Sequence, residues 1–542
     1  MGRHTIGIDF GTESARAVLV DVADGRVLST ASFPYPHGVL DRTLPGGLDR
    51  LPPDWALQHP DDWLRATEAL LRAMAAAGSP EDVVGIGIDF TSCTVLPATA
   101  DGTPLCLLPE LQREPHAWPK LWKHHAAQPY ADRINAGADR PEGEFLALYG
   151  GKTSSEWMWA KGWQMLAEAP PSVSRATVRW IEGGDWIVWQ LTGAEVRSAC
   201  QAGYKAHWQK DGGYPPDAFW RALDPALAGL RDTLGDPRPV GTRAGGLAAS
   251  WASRTGLRPG TAVAVALIDA HAAVPALGVH EAGHLVMIMG TSTCHLVLDA
   301  RRRPVRGISG VVADGILPGW FGYEAGQASV GDIFLWFVRT SVPGRYGETG
   351  VFERLEDEAA RLTPGGSGLL ALDWWNGCRT PLVDADLSGA ILGLTLTTEP
   401  AEIYRALLES TVYGTRRIIE TFEAGGVPIL GVHACGGLAE RARLLLQITA
   451  DVTGRPISVA RVPQASAVGA AIYAAAAATG ETDMTGVVRR MGSTERVTYQ
   501  PHAQAARVYD GLYQDYLEIA RHFGEGGSSV MKRLHQLRHT TT

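Results

Sequence analysis

Ile6-Gly7-Ile8-Asp9-Phe10-Gly11-Thr12-Glu13-Ser14 is the stretch of this 542-residue chain that decides its fold. An apolar run comes first, a glycine with neighbouring hydroxyl residues follows, and a second apolar run begins at Arg16. A glycine at such a turn bends the backbone sharply and lets a ligand approach without a Cβ clash. Hydroxyl and backbone N–H groups of a turn can hold phosphate oxygens. The stretch therefore predicts a β-hairpin whose turn, with Gly11, Thr12 and Ser14, binds phosphate.

A second, looser copy of this pattern lies about half a chain later, at Val286-Met287-Ile288-Met289-Gly290-Thr291-Ser292-Thr293. Gly290, Thr291 and Ser292 take the places of the turn residues in the first copy. Either copy alone is compatible with an ordinary β-hairpin. The two together, one near the start of each half, indicate a duplicated fold that binds a nucleotide between its halves.

Length, composition and charge limit the classes of protein to which the chain can belong. Its length suits two large domains, and 45% hydrophobic with 20% charged residues is typical of a globular enzyme. The net charge of −9 argues against a nucleic-acid partner, because a phosphate backbone needs a basic surface. The longest apolar run, residues 262–279, contains Asp269 and His271 and is a poor membrane span. Since no signal peptide precedes Thr5, we expect a cytoplasmic protein without a membrane partner.

Motifs of several other enzyme classes are missing from the sequence. The six cysteines are scattered without a CxxC, so neither a zinc site nor a disulfide framework is indicated. Gly150-Gly151-Lys152-Thr153 resembles the end of a P-loop, but Leu146 stands where that pattern needs its first glycine. The glycine pattern of dinucleotide-binding strands and the serine pattern of α/β-hydrolases are also absent. ATP binding would therefore depend on the duplicated hairpins.

Apolar runs alternate with helical patterns along the chain, which predicts an α/β protein. Strands are predicted over residues 5–22, 83–90, 262–268 and 284–298, and helices over residues 61–77, 402–423 and 441–452. Residues 34–53, rich in proline and glycine, are long for a loop and predict a lid or a pocket wall. Residues 467–478 are mostly small, which allows a helix to lie very close to a sheet. The two halves are expected to meet near residue 280.

Asp269 is the candidate catalytic residue. It ends the apolar run that begins at Val265 and precedes Ala270-His271-Ala272. Phosphoryl transfer to an alcohol needs Mg²⁺, groups that hold the phosphates, and a base for the hydroxyl proton. A carboxylate at the end of a strand between the two halves is well placed to be that base. Asp is also a favoured helix N-cap residue, so the spacing alone leaves both interpretations open.

Three further side chains have the chemistry to bind a sugar. Lys205 and Glu324 place one cation and one acid among apolar residues and glycines, where they could hydrogen-bond sugar hydroxyls. Trp122 offers an indole on which the apolar face of a sugar could stack. An ion pair would explain Lys205 and Glu324 without a ligand, and a core position would explain Trp122. Gly436-Gly437 opens a helix after an apolar strand, where paired glycines let a nucleotide approach.

A series of motifs in this sequence resembles the FGGY carbohydrate kinase family over nearly the whole chain. The general family features are Ile8–Thr12, Met289–Ser292 and Cys435–Gly437. Features of the branch that phosphorylates L-ribulose are Asp89–Thr94, Leu121–Ala126, Gly151–Trp157, Ala202–Lys205, Asp269–Ala272, Tyr323–Gln327 and Leu372–Gly377. Any one motif is weak, but their common order makes chance agreement implausible.

The resemblance implies a two-domain actin-like ATPase fold, in which each domain is ribonuclease H-like and ATP and sugar bind in the cleft. Residues 1–280 would form the N-terminal domain with the sugar site and the base. Residues 281–542 would form the C-terminal, nucleotide-binding domain. ATP and Mg²⁺ are the implied cofactors, and a homodimer is expected only by analogy with relatives.

The resemblance also assigns roles to residues by their position in the motifs. Asp269 would be the catalytic base, Asp9 would help to place Mg²⁺, and Thr12 would approach the γ-phosphate. The residues that would face the ketopentose are Ser92, Lys205 and Glu324, and those beside the adenosine are Gly436 and Gly437. Ser92 departs from a relative that has alanine at this position, which leaves the fine substrate preference open.

The implied activity is ATP-dependent phosphorylation of L-ribulose to L-ribulose 5-phosphate, a step of L-arabinose catabolism. A first alternative is an FGGY kinase for another ketose or polyol, such as D-ribulose, xylulose, ribitol or glycerol, since only pocket residues separate these substrates. A second alternative is a non-enzymatic actin-like protein that senses a sugar or forms filaments. Asp269 beside a candidate sugar pocket argues against this second alternative.

Overall fold

The structure is a computed structural model that describes residues 3–347 and 349–540. Its strands, in chain order, are β1 (His4–Phe10), β2 (Ser14–Asp21), β3 (Val27–Pro34), β4 (Val83–Phe90), β5 (Val95–Ala98), β6 (Arg179–Glu182), β7 (Arg197–Ser198), β8 (Pro237–Arg238), β9 (Arg243–Gly246), β10 (Ala262–Ala264), β11 (Leu267–Ile268), β12 (His284–Met289), β13 (Thr293–Asp299), β14 (Gly310–Ala313), β15 (Phe321–Gln327), β16 (Leu370–Leu372), β17 (Ala390–Leu392), β18 (Gly431–Cys435), β19 (Ile457–Ala460) and β20 (Arg496–Tyr499).

Helices connect these strands and cover both sheets. In chain order they are α1 (Pro60–Ala77), α2 (Gln128–Ala136), α3 (Met158–Glu168), α4 (Pro171–Ala176), α5 (Gly183–Thr192), α6 (Ala199–Lys205), α7 (Asp217–Leu223), α8 (Ala226–Arg231), α9 (Ala249–Thr255), α10 (Asp269–Ala276), α11 (Gly331–Ser341), α12 (Val351–Ala360), α13 (Pro400–Ala424), α14 (Gly437–Arg441), α15 (Arg443–Thr453), α16 (Ala465–Thr479), α17 (Met484–Met491), α18 (Ala503–Gly524) and α19 (Val530–Thr540). None of those in the described part of the chain combines the length and the apolar character that crossing a membrane requires.

Two seven-stranded sheets with the same strand pattern form the framework. The first has the order β3-β2-β1-β4-β10-β9, with β11 beside β4, and the second has the order β14-β15-β13-β12-β18-β19-β20. In each sheet an antiparallel hairpin continues into parallel strands, β1 beside β4 and β12 beside β18. Each sheet then ends in an antiparallel pair, β10 with β9 and β19 with β20. The duplicated fold predicted from the two glycine turns is confirmed.

Both predicted hairpins have the expected geometry. Strands β1 and β2 pair as far as Phe10 and Ala15, and the Gly11 N–H closes the turn by donating to the Ser14 carbonyl at 3.0 Å. In the second copy the Gly290 N–H donates to the Ser292 carbonyl at 2.9 Å. Strand β1 is buried because its apolar residues fill the core of the first half. Each glycine turn therefore projects from the end of a central, rigid strand.

The predicted helices are confirmed, and the strand predicted over residues 262–268 is wrong as a continuous element. It breaks into β10 and β11, whose pairing with β4 shifts by one residue between Val263 and Leu267. Between the two strands, the Val265 N–H donates a hydrogen bond to the Thr242 carbonyl at 3.0 Å. The helix predicted from residue 441 begins at Arg443, because the short helix α14 ends at Arg441.

The small-residue helix α16 lies on the first sheet although it belongs to the second half of the chain. Cβ atoms added at Gly7 and Gly87 would stand 1.8 Å and 1.9 Å from the carbonyl oxygens of Ala467 and Ala470. A Cβ at Gly469 would stand 1.6 Å from the Ala272 carbonyl of α10. Glycines on both sides thus allow backbone-to-backbone packing, and α16 joins the two halves beside the strand end that precedes Asp269.

We expect Gly87→Ala to destabilise the protein by about 1–3 kcal/mol or more, because the new methyl group would overlap the α16 backbone. The matched control is Gly511→Ala in the interior of α18, where an added Cβ meets no atom of the described residues within 4 Å. That change should stabilise by about 0.5–1 kcal/mol, since alanine favours a helix over glycine. Thermal unfolding compares the two variants, and equal melting temperatures would contradict the close packing.

Candidate active site

A cleft of about 860 Å³ lies between the two halves. Both glycine turns line it, and so does the Gly436-Gly437 pair between β18 and α14. Lining residues come from the ends of the central strands of both sheets. A cavity of this volume is in the range that holds small molecules of the size of a nucleotide and a sugar.

The cleft brings together almost all of the site residues predicted from the sequence. Those that line it are Asp9, Gly11, Thr12, Ser92, Trp122, Lys205, Asp269, Gly290, Thr291, Ser292, Glu324, Gly436 and Gly437. Ser14 is not among them. It begins β2, and its carbonyl accepts the Gly11 N–H, so its backbone shapes the turn. The individual roles of these residues stay predictions.

Three aspartates lie at the ends of neighbouring parallel strands of the first sheet. Asp9 on β1 stands beside Asp89 on β4, and Asp269 follows β11, which pairs with β4 at Asp89. Burial, followed by the Asp9 charge, raises the pKa of Asp269 from 3.8 to about 7. Burial also raises the pKa of Asp9. Burial and the neighbouring charge of Asp9 raise the pKa of Asp89 well above its ordinary value. The three buried carboxyl groups thus oppose one another's ionisation beside the cleft, and a bound cation would relieve that repulsion.

This acid cluster fits a magnesium ion that is held mainly by phosphates. Carboxylate oxygens suit Mg²⁺, which usually keeps several waters and binds one or two carboxylates plus substrate phosphates. Both oxygens of Asp89 are buried and have no hydrogen-bond donor among the described residues, where the neighbouring acid is Asp9, and Asp9 has Arg16 3.5 Å away. In residues 3–347 and 349–540 no three acidic, histidine or cysteine side chains are grouped closely enough to hold a metal alone.

Asp269 begins helix α10 without being its N-cap. The N-cap position belongs to Ile268, and the Asp269 Oδ1 accepts the N–H of the next residue, Ala270, at 2.7 Å. The N-cap interpretation left open by the sequence is therefore wrong. One carboxylate oxygen is held by the start of the helix, while the residue lines the cleft beside Lys205 and Glu324.

Lys205 and Glu324 form one buried ion pair. The Lys205 Nζ donates to both Glu324 oxygens at 2.8 and 2.9 Å, and the His271 Nε2 lies 3.2 Å from Glu324 Oε2. Burial alone would raise the pKa of Glu324, but Lys205 and His271 hold it well below its ordinary value. Burial would lower the pKa of Lys205, and Glu324 raises it instead. The ion-pair alternative is confirmed, and the pair nevertheless lines the cleft.

Thr12 in the first glycine turn is held by two side chains from elsewhere in the chain. The Trp122 indole N–H donates to its hydroxyl at 3.0 Å, and the Gln58 amide donates to its carbonyl at 2.7 Å. Trp122 is half-buried in the cleft wall rather than in the core. Gln58 is buried and has no role in the sequence prediction, since no motif or periodicity marks it.

The long loop over residues 34–53 does not line the cleft. It approaches the first turn from outside, where the Tyr35 N–H donates to the Glu13 carbonyl at 2.9 Å.

A second ion pair bridges the two halves of the chain, with Arg379 2.9 Å from Glu156. Glu156 lies in the Gly151–Trp157 motif without an assigned role, and Arg379 lies in no motif; the sequence did not predict their pairing, because it joins positions 223 residues apart.

Comparison of the sequence with known proteins finds relatives along nearly its full length. Residues 285–478 match the model described as "FGGY family of carbohydrate kinases, C-terminal domain". A ribulokinase of Geobacillus thermodenitrificans (strain NG80-2) is 50% identical over 552 residues, which cover 99% of this chain and 98% of that protein. A ribulokinase of Mycolicibacterium smegmatis is 48% identical over 548 residues, covering 99% and 96% respectively.

Comparison of the structure with solved structures finds the same two-domain fold. A xylulose kinase from Rhodospirillum rubrum superposes with a TM-score of 0.77 at 25% identity, covering 96% of this chain and 98% of that one. A glycerol kinase from Plasmodium falciparum, solved with ADP, superposes with a TM-score of 0.74 at 13% identity, covering 95% and 98%. The actin-like, ribonuclease H-like architecture predicted from the motifs is confirmed.

Proposed function

Because the chain belongs to the FGGY family of carbohydrate kinases and is therefore a sugar kinase that uses ATP, we propose that its substrate is L-ribulose, phosphorylated to L-ribulose 5-phosphate. The observation that carries this proposal is the buried Lys205–Glu324 pair, which lines the cleft together with Asp269. The ribulokinase names of relatives that are about half identical support a ribulose as the substrate. A place in L-arabinose catabolism belongs to the same proposal.

We propose that the first half of the chain binds mainly the sugar and that the second half binds the nucleoside. Residues 1–280 supply the base and most of the sugar contacts, and residues 281–542 supply Gly436-Gly437 for the nucleoside. The two glycine turns offer backbone N–H and hydroxyl groups to the phosphates. Mg²⁺ bound to these phosphates would neutralise the charge that develops on them during transfer. Asp9 is the proposed residue for holding that ion in place, with Asp89 behind it.

In the proposed reaction Asp269 removes the proton from the terminal hydroxyl of the sugar. The freed oxygen forms its bond to the γ-phosphorus as the bond to the β-phosphate oxygen breaks, so ADP leaves with that electron pair. Lys205 donates to sugar oxygens and Glu324 accepts from sugar hydroxyls, which together orient one terminal hydroxyl towards Asp269. Closure of the cleft around both substrates excludes water from the γ-phosphate.

A screen for ADP release tests the substrate proposal. The purified protein is given MgATP and, in separate reactions, L-ribulose, D-ribulose, xylulose, ribitol or glycerol. We expect L-ribulose to have the highest kcat/KM, because a site with buried polar partners rejects a ligand that leaves them unpaired. A higher kcat/KM with xylulose or glycerol would overturn the L-ribulose proposal and leave the sugar kinase assignment intact.

The pH dependence of kcat/KM should identify the base. Asp269 can accept a proton only when it is ionised, and its pKa is raised to about 7. The rate should therefore fall as pH decreases through this region, and rise to a plateau above it. Glu324 cannot cause that limb, because its pKa is held well below the ordinary value. A rate that stays level down to pH 5 would contradict Asp269 as the base.

Gly290→Val should weaken ATP binding without loss of the fold. Among the described residues, a Cβ at Gly290 meets only the Ser292 carbonyl, at 3.8 Å, so there is room for it. The added methyl groups would instead occupy space proposed for the phosphates. We expect KM for ATP to rise about tenfold, equivalent to about 1.4 kcal/mol, with little change in KM for the sugar. A lowered melting temperature with an unchanged KM for ATP would show that this turn is only structural.

A further inference from the structure

Lys161 in helix α3 is a fully buried lysine that joins two loops of the first half. Its Nζ donates to the Cys93 carbonyl at 2.7 Å and to the Leu121 carbonyl at 2.7 Å. Hydrogen bonds from a charged donor are about twice as strong as neutral ones. A single ammonium group therefore fixes the distance between two loops that are otherwise separate in the sequence.

The two carbonyls flank the candidate sugar pocket. Cys93 directly follows Ser92, and Leu121 directly precedes Trp122, and both Ser92 and Trp122 line the cleft. Cys93 has a φ of 60°, a backbone conformation that is uncommon for residues other than glycine and is held by surrounding contacts. The position of Ser92 thus depends on a loop that Lys161 holds.

Nearby charges help to keep the Lys161 side chain protonated, so that it can donate hydrogen bonds to both carbonyls. Burial lowers its pKa to about 8, while the nearby Glu156 and Glu182 oppose that effect. The ammonium form therefore predominates at neutral pH and keeps its N–H donors. A nearby second lysine, Lys120, is equally buried, but its Nζ lies 3.4 Å from the His116 Nδ1 and over the Trp55 ring, and the hydrogen bonds to the two carbonyls come from Lys161.

We propose that Lys161 is a positioning residue that sets the distance between Ser92 and Trp122, and through it the affinity and selectivity for the sugar. The inference rests on the proposed function, because it assumes that these two residues contact the ketopentose. Lys161 itself lies behind the pocket wall and is not among the residues that line the cleft. It acts through the two loops and takes no part in the chemical step.

The test compares Lys161→Met with Lys120→Met in the full-length protein. Each change keeps an unbranched side chain that lacks only the terminal position of lysine, and it removes the N–H donors of a buried lysine. Lys161→Met should raise KM for L-ribulose about tenfold, as expected for lost charged hydrogen bonds, and should reduce the kcat/KM preference for L-ribulose over xylulose. KM for ATP should stay within about twofold of the parent value in both variants. Lys120→Met should lower the melting temperature but leave both sugar measurements unchanged.

Two outcomes would overturn the inference. One is an unchanged KM and sugar preference in folded Lys161→Met, and the other is an equal change in Lys120→Met, which would indicate a general loss of packing. If Lys161→Met does not fold, Lys161→Gln, which removes the charge and shortens the side chain by one bond, is measured in its place with the same criteria. Sugar-dependent ADP release by the parent protein is measured first, so that failure of the proposed function is recognised separately.

Discussion

Asp269→Asn should reduce kcat by about two to four orders of magnitude, the contribution typical of a general base. Asparagine has nearly the same shape, and its oxygen can still accept the Ala270 N–H that Asp269 accepts at 2.7 Å. The start of α10 and the sugar pocket should therefore be preserved. What is lost is a group that can take the proton from the sugar hydroxyl. Steady-state kinetics give kcat, and calorimetric titration with L-ribulose shows whether the sugar still binds.

The matched control for this change is Asp217→Asn. Asp217 is likewise the first residue of a helix, α7, but it lies outside the cleft. Its substitution should leave kcat within about twofold of the parent value, as expected for a residue without contact to the reacting atoms. Near-normal turnover in purified Asp269→Asn would remove Asp269 from the mechanism, whatever the control shows.

Lys205→Met should raise KM for L-ribulose by about thirtyfold or more, equivalent to at least about 2 kcal/mol. The ammonium would no longer donate to the sugar. Glu324 would lose the buried partner that lies 2.8 Å away in the parent protein and that lowers its pKa most. Removing one member of a buried ion pair destabilises a protein by about 3–5 kcal/mol, so the melting temperature should fall as well. KM for ATP should change little, since neither residue is assigned to the nucleotide.

The double variant Lys205→Met/Glu324→Gln separates binding from stability. It removes both charges, so it should recover much of the melting temperature lost in Lys205→Met and should still bind the sugar poorly. Arg302→Met provides a control, because Arg302 pairs with Asp211 at 2.9 Å across the halves but in an exposed position. Parent-like KM for L-ribulose in the double variant would show that the Lys205–Glu324 pair is structural and does not bind the substrate.

Sequence patterns were sufficient wherever a feature depends on neighbours in the chain. The two hairpins and the helices α1 and α13 follow from local runs of apolar residues and from glycine at the turns, because periodicity and turn chemistry act over a few residues. The break between β10 and β11 was not predicted, because local patterns do not report contacts with distant residues. It depends on the carbonyl of Thr242, which lies more than twenty residues earlier in the chain.

The sequence by itself determined the duplicated α/β fold, the family and the residue types that line the cleft, since motif order and strand patterns are properties of the chain. Only the tertiary structure decided which of these residues interact. Lys205 and Glu324 are 119 residues apart, Gln58 and Thr12 are 46 apart, and Lys161 and Cys93 are 68 apart. Burial in the folded protein also sets the raised pKa of Asp269, because removing a carboxylate from water disfavours its charged form.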